Sequence, residues 1–127
     1  MSEITNKNKS LVLRIYEEMW NEGNPTIASE IFAQPASVQR FVSEFLKAFP
    51  DLHHTVEEMI AEDDRVVARF TARGTHTGQW ENFAPSGKPI HYTGVTLVHI
   101  KGDKIVHHHT WWDTMEVVEQ IKGVCNE

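Results

Sequence analysis

The sequence predicts an α+β domain in which helices pack on one face of a curved antiparallel sheet and enclose a conical cavity. Three observations predict it. In the first half of the chain, apolar residues recur at helical spacing. From Leu52 onward the period changes to two. The alternating segments follow one another through short polar turns, as neighbouring antiparallel strands require.

Leu11, Val12, Ile15, Tyr16, Met19 and Trp20 make one apolar stripe and predict a first helix, which ends in residues 21–25 with Gly23 as the stop. Asn24 is the expected cap of a short second helix, with Pro25 at its first position and Ile27, Ile31 and Phe32 as its buried face. Pro35 separates it from a third helix capped by Ser37. There Val38, Phe41, Val42, Phe45, Leu46 and Phe49 fall at i, i+3, i+4, i+7, i+8 and i+11, the cleanest helical signal in the chain, and Pro50-Asp51 ends it.

In the next segment Val56, Glu58 and Ile60 alternate with Thr55, Glu57 and Met59, up to a turn at Glu62-Asp63-Asp64. Residues 65–75 alternate again, with Val66, Ala68, Phe70 and Ala72 on one face. Gly74, Gly78, Pro85, Gly87 and Pro89 punctuate a loop region. Residues 91–100 and 104–112 form two more strands joined by the tight Gly102-Asp103 turn, and 115–122 is either a closing helical turn or the end of the sheet.

A chain of 127 residues suits one domain with one core, so residues 1–127 read as a single unit. The apolar fraction of 40% and charged fraction of 24% are those of an ordinary globular protein. A net charge of −6 argues against nucleic acid and anionic membrane as partners, since both need a basic face. Cys125 is the single cysteine, which fits a reducing compartment. With no apolar run of membrane-span length and a polar N-terminus, the expected location is cytoplasmic.

The chemistry-bearing segment is His107-His108-His109-Thr110-Trp111-Trp112-Asp113. Histidine changes charge near neutral pH, and a partly buried carboxylate can serve as acid or base. Strand parity divides the segment. His108, Thr110 and Trp112 share the inward face, while His107 and His109 point outward or into an interface. His108 is thus either a lining residue or a catalytic one. Asp113 is either a strand-end acceptor or an acid/base group turned inward by a bulge. His76, between glycine-flanked threonines, lines an entrance or stabilises its turn. Tyr16, Trp20, Phe32, Phe45, Phe49, Trp80, Phe83 and Trp112 are the aromatics expected to border the cavity. His107 and His109 lie at the i, i+2 spacing of some zinc ligands, but a third converging ligand is required, so no metal is expected.

Several segments together resemble the SnoaL-like polyketide cyclases, a branch of the cystatin-like, or nuclear transport factor 2-like, fold. They are residues 16–23, Phe49-Pro50-Asp51-Leu52, Asp63-Asp64-Arg65-Val66-Val67, Gly74-Thr75-His76-Thr77-Gly78, Pro85-Ser86-Gly87-Lys88, Thr93-Gly94-Val95 and Gly102-Asp103-Lys104-Ile105-Val106. The resemblance implies a cofactor-independent intramolecular aldol cyclisation, with a His–Asp pair on neighbouring strands moving the protons. The chain departs from the pattern twice. Only residues 33–37 link the second and third helices, where relatives carry a strand and a long loop. The aspartate position falls on Thr110 and its partner histidine near Thr96, and the two-residue turn brings these threonines together. Threonine does not titrate in the useful range.

The expected ligand is a small hydrophobic or carbonyl-containing molecule. His108 and Asp113 are the acid/base candidates, with Thr96 and Thr110 as hydrogen-bonding groups. The expectation of a different class is a binding or assembly module without catalysis. The resemblance also implies a homodimer formed through the sheet, whose outer face is rich in aromatic and histidine side chains.

Overall fold

In the computed structural model, which describes residues 3–123, helix α1 (Glu3–Arg14) runs without a break into a π-helical segment (Ile15–Trp20). Cys125 lies outside the described residues. In the π segment the backbone N–H of Asn21 reaches the carbonyl of Tyr16 at 2.9 Å, a five-residue step. The apolar stripe buries Val12, Ile15, Tyr16 and Met19, as its spacing predicts. The widened turn left no mark on that spacing. Gly23 stops the helix in the left-handed region, at φ 65°.

The second helix is shorter than its caps suggest: one 3₁₀ turn (Pro25–Ile27) and then α2 (Ala28–Ile31). Asn24 occupies the cap position, but its side chain accepts from the Thr26 hydroxyl at 2.6 Å and caps no helix N–H. Helix α3 (Ala36–Ala48) begins before Ser37, with Pro35 at the cap and no side-chain cap bond. Ser37 lies in its first turn, a correction to the expected cap. Val38, Val42, Phe45, Ala48 and the following Phe49 are buried, whereas Phe41 is 55% exposed.

Four strands follow: β1 (His53–Glu62), β2 (Arg65–Thr75), β3 (Pro89–Lys101) and β4 (Lys104–Trp112). They form one antiparallel sheet in sequence order. On β2, Val66, Ala68, Phe70 and Ala72 are buried on one face, as alternation predicts. On β1 the expected parity fails. A bulge between Val56 and Glu58 sets Val56 opposite Phe70 but Met59 opposite Ala68. Met59 and Ala61 therefore pack on the core, and Ile60 turns outward, 60% exposed. An edge strand accommodates the extra residue because only one side must keep its ladder.

Gly94 on β3 lets the Phe70 ring lie across the strand; a Cβ there would meet that ring and the Trp111 carbonyl. Gly78 is equally constrained, against the carbonyl of Lys47. It and Thr77 each donate a backbone N–H to Ala48, at 3.1 Å, tying the long loop to the end of α3. Residues 114–122 resolve as helix α4 (Thr114–Lys122), which buries Val117 and Ile121. Gln120 bonds both backbone groups of His91, at 2.7 and 3.0 Å, and docks α4 on β3. The short link after α2 pairs with β4 through one bridge, Phe32 to Ile105, where relatives are expected to carry a strand. No helix among the described residues is long and apolar enough to cross a membrane.

Candidate functional site

The π segment, α3 and the inner face of the sheet enclose a cavity of about 570 Å³. The π segment supplies Ile15, Tyr16, Met19 and Trp20, and α3 supplies Val38, Phe41, Val42 and Phe45. The strands add His54, Phe70, Tyr92, Thr96, His108, Thr110 and Trp112, with Phe32 from the link after α2. The widened π turn sits at the cavity wall, where such turns recur at functional sites. The walls are chiefly aromatic. Among the described residues lining it, none is a carboxylate, lysine or arginine.

A hydrogen-bonded chain crosses this apolar space. The Tyr16 hydroxyl donates to Thr96 Oγ1 at 2.8 Å, and Thr96 Oγ1 lies 2.9 Å from Thr110 Oγ1. The two-residue turn brings these threonines close, but its own register, Lys101 against Lys104, would set Thr96 against His109; a bulge between His99 and Ile100 shifts the ladder by one residue and sets Thr96 directly opposite Thr110. Either hydroxyl can donate across the second contact; in the arrangement where Thr96 donates to Thr110, the Thr110 proton is left for the cavity and each donor polarises the next. His108 is two residues away on the same face of β4, about 7 Å along the strand. Its ring meets Phe32 edge-on at 5.0 Å, at the cavity mouth. Desolvation first, and then the neighbouring His109, lower its pKa, so it is a neutral base near neutral pH.

The deeper groups are also uncharged there. Burial pushes Tyr16 up to about 12 against the opposing bond to Thr96, and burial with nearby Tyr16 raises Tyr92. His54 is pushed down to about 3, mainly by desolvation and then by His53. The sequence reading did not single out His54. Its signal was strand parity: His54 precedes Val56 on the inward face and pairs with Ala72 of the buried row of β2. Tyr92 has the same signal, sharing a face with Gly94 and Thr96.

Of the residues expected at the site, Tyr16, Trp20, Phe32, Phe45, Thr96, His108, Thr110 and Trp112 meet at the cavity. Five do not. Asp113 caps α4, its Oδ1 accepting from the Glu116 N–H at 3.0 Å; no bulge turns it inward, because a helix start claims its carboxylate. Phe49 is wholly buried behind the wall, with its ring 4.9 Å from Phe45. His76 is also wholly buried and braces the loop, with Nδ1 2.9 Å from the Ser86 hydroxyl. Trp80 and Phe83 stack at 6.0 Å across a local bridge, and Trp80 packs inward on Phe49. On the outer face, His107 faces His99 at 6.0 Å, and the His109 ring lies tilted against Trp111 at 4.2 Å. His109 also borders the cavity.

Helices on a curved four-stranded sheet around an aromatic cavity define a nuclear transport factor 2-like α+β domain. A sequence profile of the SnoaL-like polyketide cyclases matches residues 10–121, and the chain belongs to that family. Among solved structures, it is similar to a candidate SnoaL-like polyketide cyclase from Jannaschia sp. CCS1. That likeness has 22% identity and a TM-score of 0.90, over 98% of each chain. A candidate polyketide cyclase from Acidithiobacillus ferrooxidans is 24% identical, with a TM-score of 0.85 over 98% of this chain and 100% of that one. AclR, a candidate hydroxylase from Streptomyces galilaeus, is 23% identical, with a TM-score of 0.86 over 97% of this chain and 85% of that one. At these identities the likeness establishes the fold. No curated protein matches the chain significantly.

Proposed function

We propose that the cavity binds an aromatic or polyketide-like carbonyl compound and catalyses its enolisation, leading to aldol ring closure or isomerisation without a cofactor. The observation that carries this reading is the chain from Tyr16 through Thr96 to Thr110, which ends beside His108. Thr110 donates to the substrate carbonyl oxygen. His108 takes a proton from the adjacent carbon, and the C–H electron pair becomes the enolate, whose oxygen Thr110 stabilises. In a cyclisation the enolate carbon attacks a second carbonyl. A carbon–carbon bond forms, and the new alkoxide recovers the proton from the His108 imidazolium. Hydroxyls thus supply the polarisation, and one imidazole moves the proton.

The test is turnover of a panel of polyketide esters and enolisable aryl ketones. His108→Ala should lower kcat by about 100-fold or more. Thr110→Val should lower it by roughly the same factor, with thermal unfolding unchanged in both, since neither side chain belongs to the buried core. Wild-type rates that survive both substitutions would overturn the assignment. A second reading, a binding module without catalysis, is favoured by the lack of any carboxylate among the described lining residues. It predicts saturable binding of the same ketones with no turnover.

The outer face of the sheet supports a homodimer surface in the same proposal. Ile60, Leu97 and Trp111 are 60%, 36% and 53% exposed. Light scattering at micromolar concentration should give twice the chain mass, and Trp111→Glu should return the monomer. A monomeric wild type would remove this part of the proposal.

A further inference from the structure

We infer that His54 is a second polar anchor of the cavity, a specificity-determining residue that selects ligands carrying a hydroxyl at the end remote from their carbonyl. The inference rests on the reading of the cavity as an aryl-carbonyl site and adds a structural requirement to the ligand.

The ring of His54 is 4% exposed and lines the cavity. Its Nδ1 is buried and has no hydrogen-bond partner. Aromatic rings surround it: Trp20 at 4.9 Å, Phe70 at 5.1 Å, Tyr16 at 5.6 Å and Tyr92 at 6.3 Å between centroids. Tyr16 is committed to Thr96 and offers His54 no hydrogen bond. A buried polar group without a partner is unfavourable, and such groups are uncommon in folded proteins.

The backbone around this ring is held in place. Asn21, directly after the π segment, accepts from the His54 N–H at 2.7 Å and donates to the His54 carbonyl at 2.9 Å. This double bond pattern joins the cavity-forming helix to the edge strand and sets the imidazole among the four rings. The structure thus spends two hydrogen bonds on positioning a side chain that has no protein partner of its own.

The chemistry of the missing partner follows from the ring. A neutral imidazole presents one donor nitrogen and one acceptor nitrogen. A hydroxyl both donates and accepts, so it satisfies either tautomer. A carboxylate would enter an aromatic space with no cation to compensate it. His54 and Thr110 stand at opposite ends of one run of contacts: the Tyr16 ring lies 5.6 Å from the His54 ring, the Tyr16 hydroxyl is 2.8 Å from Thr96 Oγ1, and Thr96 Oγ1 is 2.9 Å from Thr110 Oγ1. That run keeps the two polar ends within the reach of a fused aromatic ketone with its hydroxyl on the far ring.

Acetylnaphthalene and its analogue hydroxylated on the ring remote from the ketone are the probes. Calorimetry should show the wild type binding the hydroxylated probe about tenfold more tightly than the parent. His54→Phe should abolish that preference by weakening only the hydroxylated probe. In the wild type, the His54 ring nitrogens should shift in nitrogen NMR with the hydroxylated probe and not with the parent. Equal affinities in the wild type, or a preference that survives in His54→Phe with unshifted ring nitrogens, would overturn the inference while leaving the cavity reading intact. Failure of both probes to bind would overturn the two together.

Discussion

Acidification is expected to destabilise the protein through His54, by up to about 1.4 kcal/mol for each pH unit between its unfolded and folded pKa values. The unfolded imidazole titrates near 6.5, and burial lowers the folded one to about 3. In that window the unfolded chain binds a proton that the folded protein refuses. The stabilisation is complete above about 6.5, is lost progressively as the pH falls, and has no further to fall below about 3. His76 and His108 are also depressed by burial, so the wild-type slope alone does not isolate His54. The difference between wild type and His54→Phe does. Urea unfolding across a pH series should show that difference moving in favour of His54→Phe as the pH falls. Two curves that remain parallel would mean that His54 is not buried as a neutral group.

Phe45→Ala should cost about 3–5 kcal/mol. Phe45 is 3% exposed and is the hub of the aromatic wall. Its ring lies 4.9 Å from Phe49, 5.6 Å from Phe41, 5.7 Å from Trp20 and 5.8 Å from Trp112. Trp80 and Tyr92 complete the set at 6.1 and 6.4 Å. Truncation would remove both the buried area and the edge-on contacts that orient the surrounding rings. The new void would open into the existing cavity, because Phe45 also lines it. Phe45→Leu should lose much less, since it keeps most of the volume. A loss below about 1 kcal/mol for the alanine variant in denaturant titration would show that the wall collapses around the gap.

These two predictions concern residues of unequal visibility in the sequence. Phe45 sits in the clearest helical stripe of the chain, and its burial follows from spacing alone. His54 sits at the start of an edge strand whose alternation is interrupted three residues later by the bulge at Glu57. A bulge is a property of the pairing between two strands, so one strand's residue pattern does not announce it. The same limit applies to Asp113. A carboxylate after two tryptophans reads equally as a catalytic group or a helix cap, and the choice waits on whether residues 114–122 form a helix. Trp80 and Phe83 fit a ligand entrance by composition, but the loop folds them onto each other and onto the back of the core.

The sequence by itself determined the helical half, the two-period half and the nearness of Thr96 to Thr110 across a short turn. Each depends on local periodicity or on the shortness of the turn, whereas the bulge that sets Thr96 opposite Thr110 and turns His108 inward belongs to the pairing of two strands. Only the tertiary structure decided that Tyr16 completes the threonine chain and that Asn21 clamps His54 inside an aromatic cage. It also turned Asp113 away to cap α4. These outcomes join residues up to 80 positions apart, and they arise where the π segment and the sheet's inner face compete to fill one space. Spacing along a chain specifies which face a side chain takes. The neighbour it meets there is set by packing, and in this protein the neighbours carry the chemistry.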